Sequence, residues 1–154
     1  MSSDALALAI GILWLVGITN AYNFIDGLDG LAASLGALIA LLLAAAAHRA
    51  GQHDLVAVAC VLAAALCGFL PHNFDLRRPA RIFLGDSGSA SVGFLLAGLA
   101  IKEVWAEGDP LVALATPMLI FGILVYDMMH TTLSRILSGR VRSFRQWIDY
   151  VGRD

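Results

Sequence analysis

Five apolar blocks, each near the length of a bilayer-crossing helix, leave this chain few folds to adopt. They run from Ala5 to about Ala21, from about Leu31 to Ala47, from Leu55 to about Leu70, from about Ser89 to Trp105 and from Pro110 to about Met129. A helix needs roughly 17–25 mostly apolar residues to cross the hydrocarbon core, and the third block sits at the short end of that range. Small residues recur throughout, as they do where membrane helices pack closely. Soluble domains carry about 25% charged residues; here the figure is 14%, with a mean hydropathy of +0.79. The expected fold is therefore all-α: a polytopic membrane protein of about five transmembrane helices, forming one transmembrane domain over residues 1–154. A soluble helical bundle is the weaker alternative. A net charge of −2 gives no reason to expect a nucleic-acid partner. Cys60 and Cys67 lie two turns apart in one block, about 10 Å and too far for a disulfide, so both read as small packing residues.

The connectors fall into two alternating sets. Of the 10 Lys and Arg residues, only Arg49 and Lys102 belong to the set formed by the N-terminus, "HRAGQHD" and "KEVWAEGDP". Arg77, Arg78, Arg81, Arg135, Arg140, Arg142, Arg145 and Arg153 belong to the other, formed by "DGLDG", "HNFDLRRPARIFLGD" and the tail from Ser134. The positive-inside rule places the second set, and the C-terminus, in the cytoplasm and the N-terminus outside. Residues 134–154 are basic and aromatic and read as a cytoplasmic interfacial tail. The first block has no basic n-region, so no cleavable signal is expected. An outside N-terminus without a preceding signal, and the stop at Asp154, suggest a piece of a longer protein.

Every polar motif lands on the cytoplasmic side. In "NAYNFIDGLDGLAAS", Asn20, Asn23, Asp26 and Asp29 recur every three residues and form a slowly drifting stripe on a helix. Gly27 and Gly30 predict that the helix ends there. The four polar groups suit a metal or a sugar nucleotide, because ionisable groups at membrane depth are costly and usually functional. The plainer reading is a turn, with Asp29 capping the second helix. In "RRPARIFLGDSGSASVGF", Asp86 precedes the fourth block and Ser87 or Ser89 can cap it. Backbone N–H groups at a helix start favour anions, so an Asp there suits a cation that bridges to phosphate. Mg²⁺, which takes one or two carboxylates plus substrate oxygens, fits; the alternative is that Asp86 is a cap. Asp127, near the inner end of the fifth block, is either a site residue or a partner for an arginine. His130 reads as interfacial; His48, His53 and His72 have no assigned role, and Glu103, Glu107, Asp109 and Asp75 read as loop. No P-loop, HExxH or GxSxG is present.

"NAYNFIDGLDGLA" and "FLGDSGSASVGF" resemble the two signature motifs of the polyprenyl-phosphate N-acetylhexosamine-1-phosphate transferases. These membrane enzymes begin lipid-linked synthesis of peptidoglycan, teichoic acid, O-antigen and mycobacterial cell wall. The order and spacing of the motifs fit, and so does the helix that carries Asp127; the resemblance covers the C-terminal half of the family fold. It implies transfer of a sugar 1-phosphate, N-acetylglucosamine 1-phosphate by the wording of the loops, from a UDP-sugar to undecaprenyl or another polyprenyl phosphate, with release of UMP. It also implies a cytoplasmic cleft in a bacterial inner membrane, Mg²⁺ or Mn²⁺ as cofactor, and a homodimer. Asp86 matches the metal-binding aspartate and, with Asp26 and Asp29, makes the implied catalytic set. Asn20, Asn23 and Asp127 make the implied substrate-binding set. The family's DDxxK pair and histidine-rich motif have no match here. The muramoyl-pentapeptide branch and an inactive membrane fragment are the alternatives. A transport path is disfavoured, because the midsections of the second to fifth blocks are nearly free of ionisable groups.

Overall fold

The computed structural model describes residues 3–75, 80–102 and 110–137. Arg77, Arg78, Glu103, Glu107, Asp109 and the tail beyond Leu137 lie outside them. Six helices follow one another: α1 (Ser3–Ile25), α2 (Leu31–Arg49), α3 (His53–Asn73), α4 (Gly85–Lys102), α5 (Pro110–Ile120) and α6 (Gly122–Leu137). No strand occurs among the described residues. Three helices, Asp4–Ile25, Leu31–Arg49 and His53–Asn73, are long and apolar enough to cross a membrane. The fifth apolar block is divided rather than continuous. α5 contains Pro117, which cannot donate to the helical ladder, and the chain bends at Phe121 before Gly122 begins α6. The Phe121 N–H still bonds the Pro117 carbonyl at 2.9 Å and the Val125 N–H the Phe121 carbonyl at 3.0 Å, so the two helices stay joined.

Two antiparallel pairs organise the rest. α2 and α3 form a hairpin closed by Ala50–Gln52, where Gly51 takes a left-handed φ of 71°. Alanines and Gly36 on α2 face Ala59, Ala63 and Leu66 on α3 at helical spacing, and such small side chains let backbones approach. α1 pairs with α4. Its register is read from Trp14 Nε1 donating to the Ala97 carbonyl at 3.3 Å, from Gly93 against Thr19, and from Ser89 against Asn23. As the number rises along α1 it falls along α4. A Cβ on Gly93 would lie 2.9 Å from Tyr22 Cβ and 3.0 Å from Thr19 Cα, so this crossing requires glycine. Tyr22 ties the pairs together: its buried hydroxyl donates to the Ala32 carbonyl at 2.6 Å. Phe121 and Leu124 seat α6 against the core, with the Phe121 ring edge-on to Trp14 at 5.3 Å. Many large apolar side chains, among them Leu8, Leu13, Val61 and Leu119, remain exposed around this bundle, as a membrane protein requires. Cys60 and Cys67 belong to that outer surface and are free thiols, contrary to their expected packing role; α3 buries the neighbouring stripe of Ala59, Ala63 and Leu66 instead.

This arrangement gathers the 26–30 turn and the connector between α3 and α4 at one end of the bundle, where the Gly30 N–H bonds Asn73. The 50–52 turn lies at the other end, where Gln52 Nε2 donates to the Lys102 carbonyl at 3.3 Å.

Candidate active site

The polar end of the bundle is built on the α1–α4 pair. α1 stops at Ile25, as the two glycines predict, and Asp26 begins the turn that leads to α2. α4 begins at Gly85, earlier than its apolar block, so neither Ser87 nor Ser89 is its cap. Gly85 has a left-handed φ of 66° where the connector enters the helix, and Asp86 follows it in the first turn. The Gly85 backbone N–H lies near enough to the Asp26 carboxylate to favour its charged form. Asp86 is exposed in the first turn of α4, where a negative charge is favoured by the helix dipole.

Asp26 and Asp86 therefore lie near enough for one charge to act on the other. Burial first, and the Asp86 charge second, push the Asp26 carboxyl above its ordinary value; the Gly85 N–H offsets part of this. Two carboxylates placed this way invite a proton or a cation between them. Among the described residues no group of three or more His, Cys, Asp or Glu could enclose a metal, so the pair is not a closed protein cage. Its donor chemistry fits a hard cation that takes the remaining oxygens from a substrate.

One turn back on α1, Asn23 Oδ1 accepts from the Ser89 hydroxyl. Ser89 is fully buried and also lies 3.0 Å from the Gly85 carbonyl. This bond engages the Asn23 oxygen as an acceptor, and the Nδ2 of the same amide is a donor group. The other expected residues stand apart. Asn20 is exposed, and its Nδ2 donates to the Val16 carbonyl of its own helix at 2.7 Å. Asp29 does not cap α2: Gly30 holds that position with no side-chain bond. Instead the exposed Asp29 Oδ2 accepts from the Ala80 N–H at 3.1 Å, stapling the turn to the connector. Asp127 is half-buried on α6, and among the described residues no hydrogen bond joins it to Asp26 or Asp86. His130 is exposed and stacks on Tyr126 at 5.9 Å.

Two residues escaped the sequence reading. Ser89 looked like a cap because serines at helix starts usually are; the signal for its actual place was the register that sets it opposite Asn23. Asn73 carried no motif signal, yet it is the buried polar side chain that joins turn and connector.

Residues 2–104 match the model of the glycosyl transferase family 4. The chain is 36% identical over 133 residues to the probable undecaprenyl-phosphate N-acetylglucosaminyl 1-phosphate transferase of Bacillus subtilis (strain 168), a match covering 86% of this chain and 36% of that protein. To the decaprenyl-phosphate N-acetylglucosaminephosphotransferase of Mycobacterium leprae (strain TN) it is 36% identical over 143 residues, covering 81% and 35%. To the phospho-N-acetylmuramoyl-pentapeptide-transferase of Enterococcus faecalis (strain ATCC 700802 / V583) it is 44% identical over 90 residues, covering 58% and 27%. The chain thus spans roughly a third of the length of these relatives. No solved structure matches it.

Proposed function

Because the chain belongs to glycosyl transferase family 4, we propose that it serves the transfer of N-acetylglucosamine 1-phosphate from UDP-N-acetylglucosamine to a polyprenyl phosphate at a membrane surface. In this reaction an oxygen of the lipid phosphate attacks the sugar-bearing phosphorus, the bond to the uridylyl phosphate breaks, and UMP leaves. The observation that carries the reading is the α1–α4 crossing, which sets Asn23 against Ser89 and leaves Asp26 and Asp86 at one end of the bundle, within reach of each other's charge. When bound there by Asp86 and Asp26, Mg²⁺ or Mn²⁺ would orient and neutralise the phosphate oxygens that the reaction crowds together. Asn23, whose oxygen takes the Ser89 bond, would donate from Nδ2 to a phosphate or sugar oxygen. Asp29 would steady the connector that carries Arg81, and Asn20 and Asp127 would border the lipid or nucleotide path.

The names of the relatives support the substrates, since two are N-acetylglucosamine phosphotransferases that use undecaprenyl or decaprenyl phosphate. The charge asymmetry of the connectors supports a cytoplasmic site and an outside N-terminus, the five apolar blocks support five crossings, and the bacterial relatives support a bacterial plasma membrane. A homodimer belongs to the same reading. The E. faecalis similarity favours a second one, in which the sugar is the muramoyl-pentapeptide.

The test is transfer by the chain in nanodiscs, with undecaprenyl phosphate and radiolabelled UDP-N-acetylglucosamine or UDP-N-acetylmuramoyl-pentapeptide. Labelled lipid and released UMP that need Mg²⁺, vanish with EDTA and vanish in Asp86→Asn support the reading, and the accepted nucleotide chooses the branch. A folded sample that labels lipid with neither nucleotide overturns it.

A further inference from the structure

We propose that Asn73 is a positioning residue that holds the Asp26-bearing turn and the Asp86-bearing connector in one register, so that the two carboxylates meet. The proposal rests on reading that pair as the reaction centre. Asn73 is the last residue of α3 and is 4% exposed. Its Oδ1 accepts from the Gly30 N–H at 2.9 Å, and its Nδ2 donates to the Ile82 carbonyl at 2.9 Å. One planar amide thus joins two stretches that are neither helix nor strand, where backbone groups have no ladder to satisfy them. Gly30 lies four residues after Asp26, and Ile82 four before Asp86. Asn73 touches neither carboxylate; it acts through the backbone between.

The seam around it is close. Gly30 has a left-handed φ of 76°, and a Cβ there would lie 2.7 Å from Phe74 Cβ, so the turn is pressed against the residue after Asn73. The Arg81 N–H bonds the His72 carbonyl at 3.0 Å, and Asp29 takes the Ala80 N–H. Asparagine suits the place because it carries a donor and an acceptor on one short, flat group. Aspartate keeps the acceptor and loses the donor, which allows the two halves of the bridge to be separated.

The experiment uses the full chain in nanodiscs. Residue-resolved hydrogen exchange reads the seam, and Mn²⁺ binding by electron paramagnetic resonance reads the carboxylate pair. In Asn73→Ala, exchange at Gly30 and Arg81 is expected to quicken about three- to tenfold, while the amides of the α2–α3 hairpin keep their wild-type rates. Mn²⁺ affinity falls about tenfold or more, as when a group supporting metal ligands is lost. Asn73→Asp keeps Gly30 protected and quickens Arg81 alone, a split that a space-filling role would not produce. Asp86→Asn loses Mn²⁺ with a wild-type seam. Unchanged exchange at Gly30 and Arg81 in both Asn73 variants, or a loosened seam with unchanged Mn²⁺ affinity, overturns the proposal. If the wild-type chain binds no Mn²⁺, the reading of the pair as a cation site falls, and the exchange pattern still decides whether Asn73 holds the seam.

Discussion

Asp26 illustrates how a single residue trades stability for a site. Its folded carboxyl titrates above its ordinary value, because of burial and then Asp86. Between the unfolded and folded values the folded state holds more protons, so stability falls as the pH rises through that window and stays lower at neutral pH. Asn imitates the protonated form. Asp26→Asn should therefore melt with the wild type near pH 3 and above it at pH 7, read by tryptophan fluorescence in detergent, while lipid labelling is lost. Equal melting temperatures at both pH values would remove the repulsion argument. Added Mn²⁺ should raise the neutral-pH melting temperature of the wild type and leave that of Asp86→Asn unmoved. Asp26 and Asp86 stood out in the sequence as candidates, since carboxylates beside an apolar helix carry a cost that structure alone does not repay. The Asp29 staple was not legible: its partner, the Ala80 N–H, is remote in sequence and is brought near only by the α3–α4 connector.

At the scale of elements, the α1–α4 crossing places Asn23 and Ser89 opposite each other. That crossing depends on glycine at 93, because a side chain would press on the Thr19 and Tyr22 backbone region of α1, which cannot swing aside. Gly93→Ala should destabilise the fold by about 1–3 kcal/mol and reduce transfer more than its stability loss explains, since the helices part at the site. Gly36→Ala offers a contrast. Its Cβ would meet the Tyr22 hydroxyl, so the Tyr22 bond to Ala32 would break and the α1–α2 contact would loosen. Denaturation in a detergent series should rank the wild type first and both variants below it; a Gly93→Ala protein as stable and as active as wild type would sink the account. Apolar length foretold the first four helices to within a few residues. It missed the bend at Phe121, because hydropathy carries no signal for where a continuous apolar block changes direction.

For the molecule as a whole, the described connectors sort to two ends, with Arg81 at the polar end and Arg49 and Lys102 at the other. Which end meets the cytoplasm is a matter for labelling. With Cys60 and Cys67 replaced, a membrane-impermeant maleimide applied to intact spheroplasts should label Gln52→Cys and reach Ser87→Cys only after lysis. The reverse pattern would invert the proposed topology and move the site to the outer face.

The sequence by itself determined the class of this protein, its helical blocks, and the two motifs that carry Asp26 and Asp86, because burial in lipid and the cost of buried charge act through composition and spacing along one segment. The tertiary structure decided which of those polar residues share a place. Asn23, Asp26, Asp86 and Ser89 converge through an antiparallel register that no local pattern encodes, whereas Asn20 turns back to its own helix and Asp29 and Asn73 bind the seam. Those outcomes depend on where helices cross and which backbone groups the turns leave unpaired, and both arise only when distant segments pack.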